Sequence, residues 1–168
     1  MAMGIEPLSR RELFTGRAAA KPARIRPPGV SEASLAACTG CGACGERCPT
    51  GIIRLADGLP FVDFSRGECT FCGACEEACP QPVFEAKDVR RFPHVAAITD
   101  TCLARRNVAC QSCGESCSEQ AIRFRPRIGG PFLPEINEAK CTGCGACLSG
   151  CPVSAIAVKA MEAEVAHV

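Results

Sequence analysis

Cys38-Thr39-Gly40-Cys41-Gly42-Ala43-Cys44-Gly45-Glu46-Arg47-Cys48-Pro49 sets three cysteines at a spacing of three, adds a fourth four residues on, and follows it with proline. The same C-x2-C-x2-C-x3-C-P run recurs at Cys69, Cys72, Cys75 and Cys79, and again at Cys141, Cys144, Cys147 and Cys151. Three thiols this close lie on one tight loop, while the fourth follows a change of chain direction. The small residues between them (Gly40, Gly42 and Ala43; Gly73 and Ala74; Gly143, Gly145 and Ala146) let the backbone come close to whatever the thiols hold.

The spacing is that of bacterial ferredoxins, whose cysteines ligate cubane 4Fe-4S clusters. A zinc site presents two C-x2-C pairs across a longer loop to one tetrahedral ion, which a triplet fits poorly. A disulfide framework has no need of three near-identical triplets followed by proline. A fourth block, Cys102, Cys110, Cys113 and Cys117, departs from the rule: seven residues separate its first two cysteines, and Ser118 replaces the proline. A longer loop can still deliver the thiolate of Cys102, so four clusters are expected. The count is three if this block is vacant or holds zinc.

Sixteen cysteines in 168 residues are otherwise found in secreted disulfide scaffolds or in metal proteins of reducing compartments. A secretory signal needs an apolar run of roughly 7–15 residues. Arg10, Arg11, Arg17, Lys21, Arg24 and Arg26, with Pro22, Pro27 and Pro28, interrupt any such run near the start. No later stretch has the roughly 20 apolar residues of a membrane span. A cytoplasmic location without a transmembrane segment is expected. Trp and Tyr are absent, so eight Phe and scattered aliphatics must form the core. That core is thin, and ligand-binding free energy would supplement it.

The segments between blocks show how they pair. Ile52 to Phe64 holds two β-rich runs about Asp57-Gly58, and Ala121 to Ile136 repeats the arrangement about Gly129-Gly130. Residues after each fourth cysteine suit a helical turn. Val83 to Thr99 reads as a connector, with Val95 to Ile98 as a candidate strand. The expected fold class is α+β: tandem bacterial-ferredoxin-like modules, with short hairpin sheets and short helices around the clusters, behind a flexible N-terminal tail. The domains are a basic, largely irregular tail (1–34), a module holding blocks one and two with its connector (35–93), and a module holding blocks three and four (94–168). Cross-ligation by the fourth cysteine then joins Cys38, Cys41 and Cys44 with Cys79, and Cys69, Cys72 and Cys75 with Cys48. In the second module it joins Cys102, Cys110 and Cys113 with Cys151, and Cys141, Cys144 and Cys147 with Cys117. The alternative is nested, block one with four and two with three.

No enzyme is expected. His94 and His167 lack a nucleophile or carboxylate at recognisable spacing and read as solvent-facing. There is no dinucleotide fingerprint or phosphate loop. Electron relay and client maturation are both open on the residues alone.

The order of blocks, with the stretched one third, joins Ser9-Arg10-Arg11, Leu13-Phe14-Thr15-Gly16-Arg17 and Ile25-Arg26-Pro27-Pro28. With Cys102-Leu103-Ala104, Phe124-Arg125-Pro126 and Cys151-Pro152-Val153-Ser154-Ala155-Ile156, the whole chain resembles the NapF family, ferredoxin-type accessory proteins of periplasmic nitrate reductase systems. The resemblance implies a cytoplasmic 4Fe-4S protein that associates with the precursor of the catalytic molybdenum subunit, NapA. It also implies a role in that subunit's maturation before export, with electron supply as the rival role. Residues 1–30 carry a net charge of +4 against −3 for the rest. Such a tail suits nucleic acid, an anionic membrane or an acidic protein, or is simply solvated. No nucleic acid partner is expected. Arg10, Arg11, Leu13 and Phe14 are candidate docking residues for the client. Arg10-Arg11 also looks like a twin-arginine signal, without the apolar region one needs.

Overall fold

The computed structural model describes residues 24–161. The tail residues Arg10, Arg11, Leu13 and Phe14, and His167, lie outside them. In the first half stand α1 (Ala43–Glu46), β1 (Ile53–Ala56), β2 (Leu59–Val62) and α2 (Ala74–Glu77). In the second stand β3 (His94–Ile98), α3 (Ser112–Glu115), β4 (Ile122–Arg127), β5 (Gly130–Ile136), α4 (Ala146–Ser149) and β6 (Ile156–Ala160). The strands form three antiparallel pairs, β1–β2, β4–β5 and β3–β6. This is the expected α+β ferredoxin architecture. No helix among the described residues is long and apolar enough to cross a membrane.

Both hairpins follow from their turns. Asp57 and Gly58 take φ of 55° and 77°, the left-handed pair that matches strand twist in a two-residue connection. The resulting register, Ile53↔Val62 to Ala56↔Leu59, buries Ile53 and Val62 together and leaves Arg54 outside. In β4–β5 the turn falls at Ile128-Gly129, one residue before the expected Gly129-Gly130, and Gly130 opens β5 opposite Arg127. The ladder shifts register between Arg125 and Arg127, where Pro126 has no N–H to donate.

The helical turns stand before each fourth cysteine, not after it as expected. Gly42, Gly73 and Gly145 take φ of 84°, 77° and 89° and turn the chain directly into α1, α2 and α4. The helix therefore carries the third cysteine of each run. After the fourth cysteine comes a tight turn instead, closed by Gly51 N–H to Cys48 O at 3.1 Å, Gln120 to Cys117 at 3.0 Å and Ser154 to Cys151 at 3.3 Å.

The candidate strand 95–98 exists as β3, and its partner β6 was not anticipated. Five residue pairs, His94↔Ala160 to Ile98↔Ile156, join the two ends of the second half, and Val95 is wholly buried there. The first half closes with one bridge, Val30↔Phe84. Residues 24–30 reach it along β2: Val62 N–H bonds Ile25 O at 2.8 Å, Arg26 bonds Pro60 O at 2.9 Å, and Arg24 pairs with Asp57 at 2.8 Å.

The halves are packed together. Phe64, Phe71 and Phe92 join His94 in one aromatic group, with Phe92 stacked on the imidazole at 4.9 Å. His94 is therefore not solvent-facing. It is 6% exposed, and its Nε2–H donates to Gly143 O at 3.0 Å. Leu148 packs against both apolar cores.

Candidate iron–sulfur centres

Four cavities open among the cysteine loops, and each is lined by four cysteines. Cys38, Cys41, Cys44 and Cys79 line site I. Cys69, Cys72, Cys75 and Cys48 line site II. Cys102, Cys110, Cys113 and Cys151 line site III, and Cys141, Cys144, Cys147 and Cys117 line site IV. All sixteen cysteines are used once, in the tandem sets rather than the nested ones. The stretched loop from Leu103 to Ala109 does bring Cys102 to the partners of its own block.

Mutual electrostatics falls mainly within the same sets, with Cys69 also feeling Cys144 and Cys147 also feeling Cys113 across neighbouring sites. Burial raises the thiol pKa of Cys44, and the neighbouring Cys79 and Cys38 raise it further. Cys75 is pushed up to about 12, by burial first and then by Cys69 and Cys48. Burial, Cys102, Cys110 and Cys151 lift Cys113 to about 11. Burial with Cys141, Cys144 and Cys117 lifts Cys147 to about 12. In all four, a cysteine from another block is among the near charges: Cys79, Cys48, Cys151 and Cys117 respectively. Thiols so destabilised as anions need a cationic partner to deprotonate, which is what an iron centre supplies.

The donor set fits a cubane better than a lone ion. Among the described residues no three Cys, His, Asp or Glu side chains converge closely enough to grip a single metal ion. The unfilled space at each site is continuous with solvent and amounts to about 960 Å³ at site II and about 420, 360 and 360 Å³ at sites IV, I and III. The connector residues Lys87, Asp88, Val89 and Arg90 also line site II.

Backbone N–H groups point at the fourth cysteines. Ala121 N–H donates to Cys117 Sγ at 3.3 Å and Ala155 N–H to Cys151 Sγ at 3.2 Å. At Cys48 burial raises the pKa, but Thr50 and the N–H groups of Ile52 and Ile53 outweigh it and hold the thiol below its ordinary value. Cys79 lacks this donor, because Val83 N–H bonds Gln81 O at 2.8 Å instead. Pro80 and Pro82 bracket Gln81 and account for the different turn.

Sites II and IV meet across the two halves. Cys69 N–H donates to Cys144 O at 2.8 Å, so a ligand loop of one site is one hydrogen bond from a ligand loop of the other. Phe92 N–H bonds Thr142 O at 2.9 Å beside it. Sites I and II share the first core through Cys44, Cys48, Cys69 and Cys75. Sites III and IV share the second through Cys113, Cys117, Cys141, Cys147 and Cys151. The spatial order is I–II–IV–III. Sequence reasoning did not find the II–IV contact, and no local signal in the cysteine runs encodes it.

Residues 37–84 and 108–155 each match the family model of a 4Fe-4S dicluster domain. The second match begins after Cys102, within the stretched loop. Over 159 residues the chain is 42% identical to the ferredoxin-type protein NapF of Escherichia coli strain K12, covering 93% of this chain and 97% of that one. It is 40% identical over 173 residues to NapF of Haemophilus influenzae, with 95% and 98% covered. It is 32% identical over 174 residues to the methylamine utilization ferredoxin-type protein MauM of Methylobacillus flagellatus, with 91% and 74% covered. Fold, cavities and matches together define a doubled dicluster ferredoxin that carries four 4Fe-4S clusters, an electron-transfer protein and not an enzyme. The chain belongs to the NapF family of ferredoxin-type proteins.

Proposed function

We propose that this protein works in the cytoplasm, where it associates with the precursor of NapA, the catalytic molybdenum subunit of periplasmic nitrate reductase. There it supports the maturation of that subunit before export, by delivering electrons. The sixteen cysteines are the ligands, Cys38, Cys41, Cys44 and Cys79 at site I and the corresponding sets at sites II to IV. The observation that carries the electron-delivery reading is the Cys69–Cys144 hydrogen bond of 2.8 Å, which joins two dicluster modules into one continuous series of sites. A protein that only stored or donated clusters would gain nothing from that continuity. Bound clusters supply single-electron chemistry. The chain's own residues hold them in line, exclude water with the two apolar cores, and aim N–H groups at the ligand sulfurs. Having one such donor fewer, Cys79 makes site I the more reducing end of the series.

Family membership supports the client, and the tail residues Arg10, Arg11, Leu13 and Phe14 are proposed to help recruit it. The test mixes reduced holo-protein with the cluster-free precursor and follows both iron and oxidation state. Reduction of the precursor's centres without iron transfer is expected. Iron appearing in the precursor at the expense of the holo-protein would replace electron delivery by cluster donation.

A further inference from the structure

Block three breaks the spacing rule, and the break builds a surface. The loop from Leu103 to Ala109 leaves Cys102 and returns at Cys110, so both its ends are ligand positions of site III. Arg127, just before the β4–β5 turn, donates to Ala104 O at 3.3 Å and to the side chain of Asn107, tying the hairpin tip to that loop. Leu103 of the loop and Pro134 of β5 line the site III cavity from these two sides. Loop and hairpin are therefore one unit, standing over the site at the end of the series.

Its outer side is basic. Arg105 and Arg106 on the loop and Arg123 and Arg125 on β4 are all exposed. Two carboxylates pair with them, Asp100 with Arg105 at 2.8 Å and Glu135 with Arg125 at 2.5 Å. Counting Arg127, five guanidinium groups face two carboxylates. Apolar side chains stand exposed in the same unit: Ile128 fully at the turn, and Val108 and Phe132 by about half. The Ile128 side chain at the turn tip is buried by nothing among the described residues. The equivalent unit of the first half is different. Only Thr39 and Gly40 separate Cys38 from Cys41, and its turn carries Asp57. Over 35–93 there are six basic and eight acidic side chains, and over 94–161 seven and five.

We propose that loop 103–109 and the β4–β5 hairpin form the docking face for an acidic protein redox partner, which exchanges electrons with this chain at site III. The inference rests on the electron-carrier reading above. The partner presents carboxylates around a small apolar spot, so that Arg105, Arg106 and Arg123 steer it while Ile128, Phe132 and Val108 hold it. The charge steers because association of opposite potentials is accelerated by roughly 10- to 1,000-fold at low ionic strength.

The test uses full-length holo-protein and two acceptors of opposite charge, acidic plastocyanin and basic cytochrome c, followed by stopped flow. In each encounter the reduced protein gives up one electron, and Cu(II) becomes Cu(I) or haem Fe(III) becomes Fe(II). Arg105→Glu/Arg106→Glu/Arg123→Glu is expected to keep full iron content. It should slow plastocyanin reduction about tenfold or more at low salt and speed cytochrome c. Arg47→Glu/Arg54→Glu/Arg66→Glu, the same charge change on exposed positions of the first half, should slow plastocyanin less than about threefold. Ile128→Ser/Phe132→Ser should slow plastocyanin without altering the salt slope. Equal slowing by the two arginine triples, or none by either, overturns the docking face and leaves the electron-carrier reading intact. Failure of the wild-type protein to reduce either acceptor overturns both.

Discussion

The two halves of the molecule run through the same parts: an outer segment, a cysteine block, a hairpin, a second block and a closing segment. They close differently. In the second half β3 and β6 pair over five residues with Val95 wholly buried between them. In the first half the outer segments form no ladder among the described residues, only the single bridge Val30↔Phe84, flanked by Glu85 N–H donating to Gly29 O at 2.9 Å and Ser31 Oγ–H to the Glu85 carboxylate at 2.5 Å. The prolines explain this. Pro27 and Pro28 stand before Val30, and Pro80 and Pro82 before Phe84, and none of them has an N–H to give a ladder. What the first half lacks in strand pairing it takes from its neighbour, because Phe64 and Phe92 find their packing against Gly145, His94 and Leu148. The first module leans on the second, while the second closes on itself.

The largest expected effects come from ligand removal. Cys79→Ser should cost the first module the cluster of site I, about four of sixteen iron atoms, although Cys79 belongs to block two. Cys117→Ser should likewise empty site IV. Far-ultraviolet circular dichroism should show the second module keeping its strands after its loss and the first module failing to, because only β3–β6 holds without a cluster. Equal loss of structure in the two variants would break the comparison.

Next is a pair of glycines at the same motif position. A Cβ on Gly145 would meet the Phe64 ring at 2.0 Å, whereas a Cβ on Gly73 would meet nothing within 4 Å. Both have positive φ, so each alanine costs about 1 kcal/mol of backbone strain. Gly145→Ala adds overpacking of about 1–3 kcal/mol and should separate the halves. Thermal melting of the holo-proteins should show the larger drop for Gly145→Ala, and similar drops would mean the aromatic contact contributes little.

Truncating Val95 to Ala should cost about 2 kcal/mol as a buried-core deletion. Val30→Ala at the single bridge should stay within about 1 kcal/mol. Amide exchange would sharpen this further, with β3 and β6 protected well above Val30 and Phe84.

The smallest effect is that of His94. Burial lowers its pKa, against an opposing effect of its bond to Gly143. The folded protein therefore binds this proton less readily than the unfolded chain. The stability tied to neutral His94 is fully present above the ordinary pKa of about 6.5 and is lost as pH falls from there through the lowered folded value. His94→Phe should flatten that acid limb of a denaturation profile in the holo-protein, and an unchanged limb would assign it elsewhere.

Much of this was legible in the sequence. A run of thiols three residues apart with small residues between them is a short-range instruction. Its glycines determine the left-handed entry into α1, α2 and α4, and Asp57-Gly58 determines a hairpin turn within two residues. The helical turns were expected on the wrong side of the fourth cysteine because proline after it suggested a helix start. The αL residues Gly51, Gln120 and Ser154 end that possibility by turning the chain.

What the sequence alone determined, then, is which side chains hold the clusters' surroundings together locally: four blocks of four thiols, two hairpins, and a chain too poor in core residues to do without what the thiols hold. The tertiary structure decided which block lends its fourth cysteine to which site, that β3 would find β6 across 58 to 66 residues of chain, that His94 would be buried, and that sites II and IV would be neighbours. The division has a physical reason. Dihedral preferences and ligand spacing act over a few residues and are written into each run. Pairing between distant segments is chosen by the packing of Phe64, Phe92 and Leu148 into a shared core, and nothing within any single cysteine block specifies it.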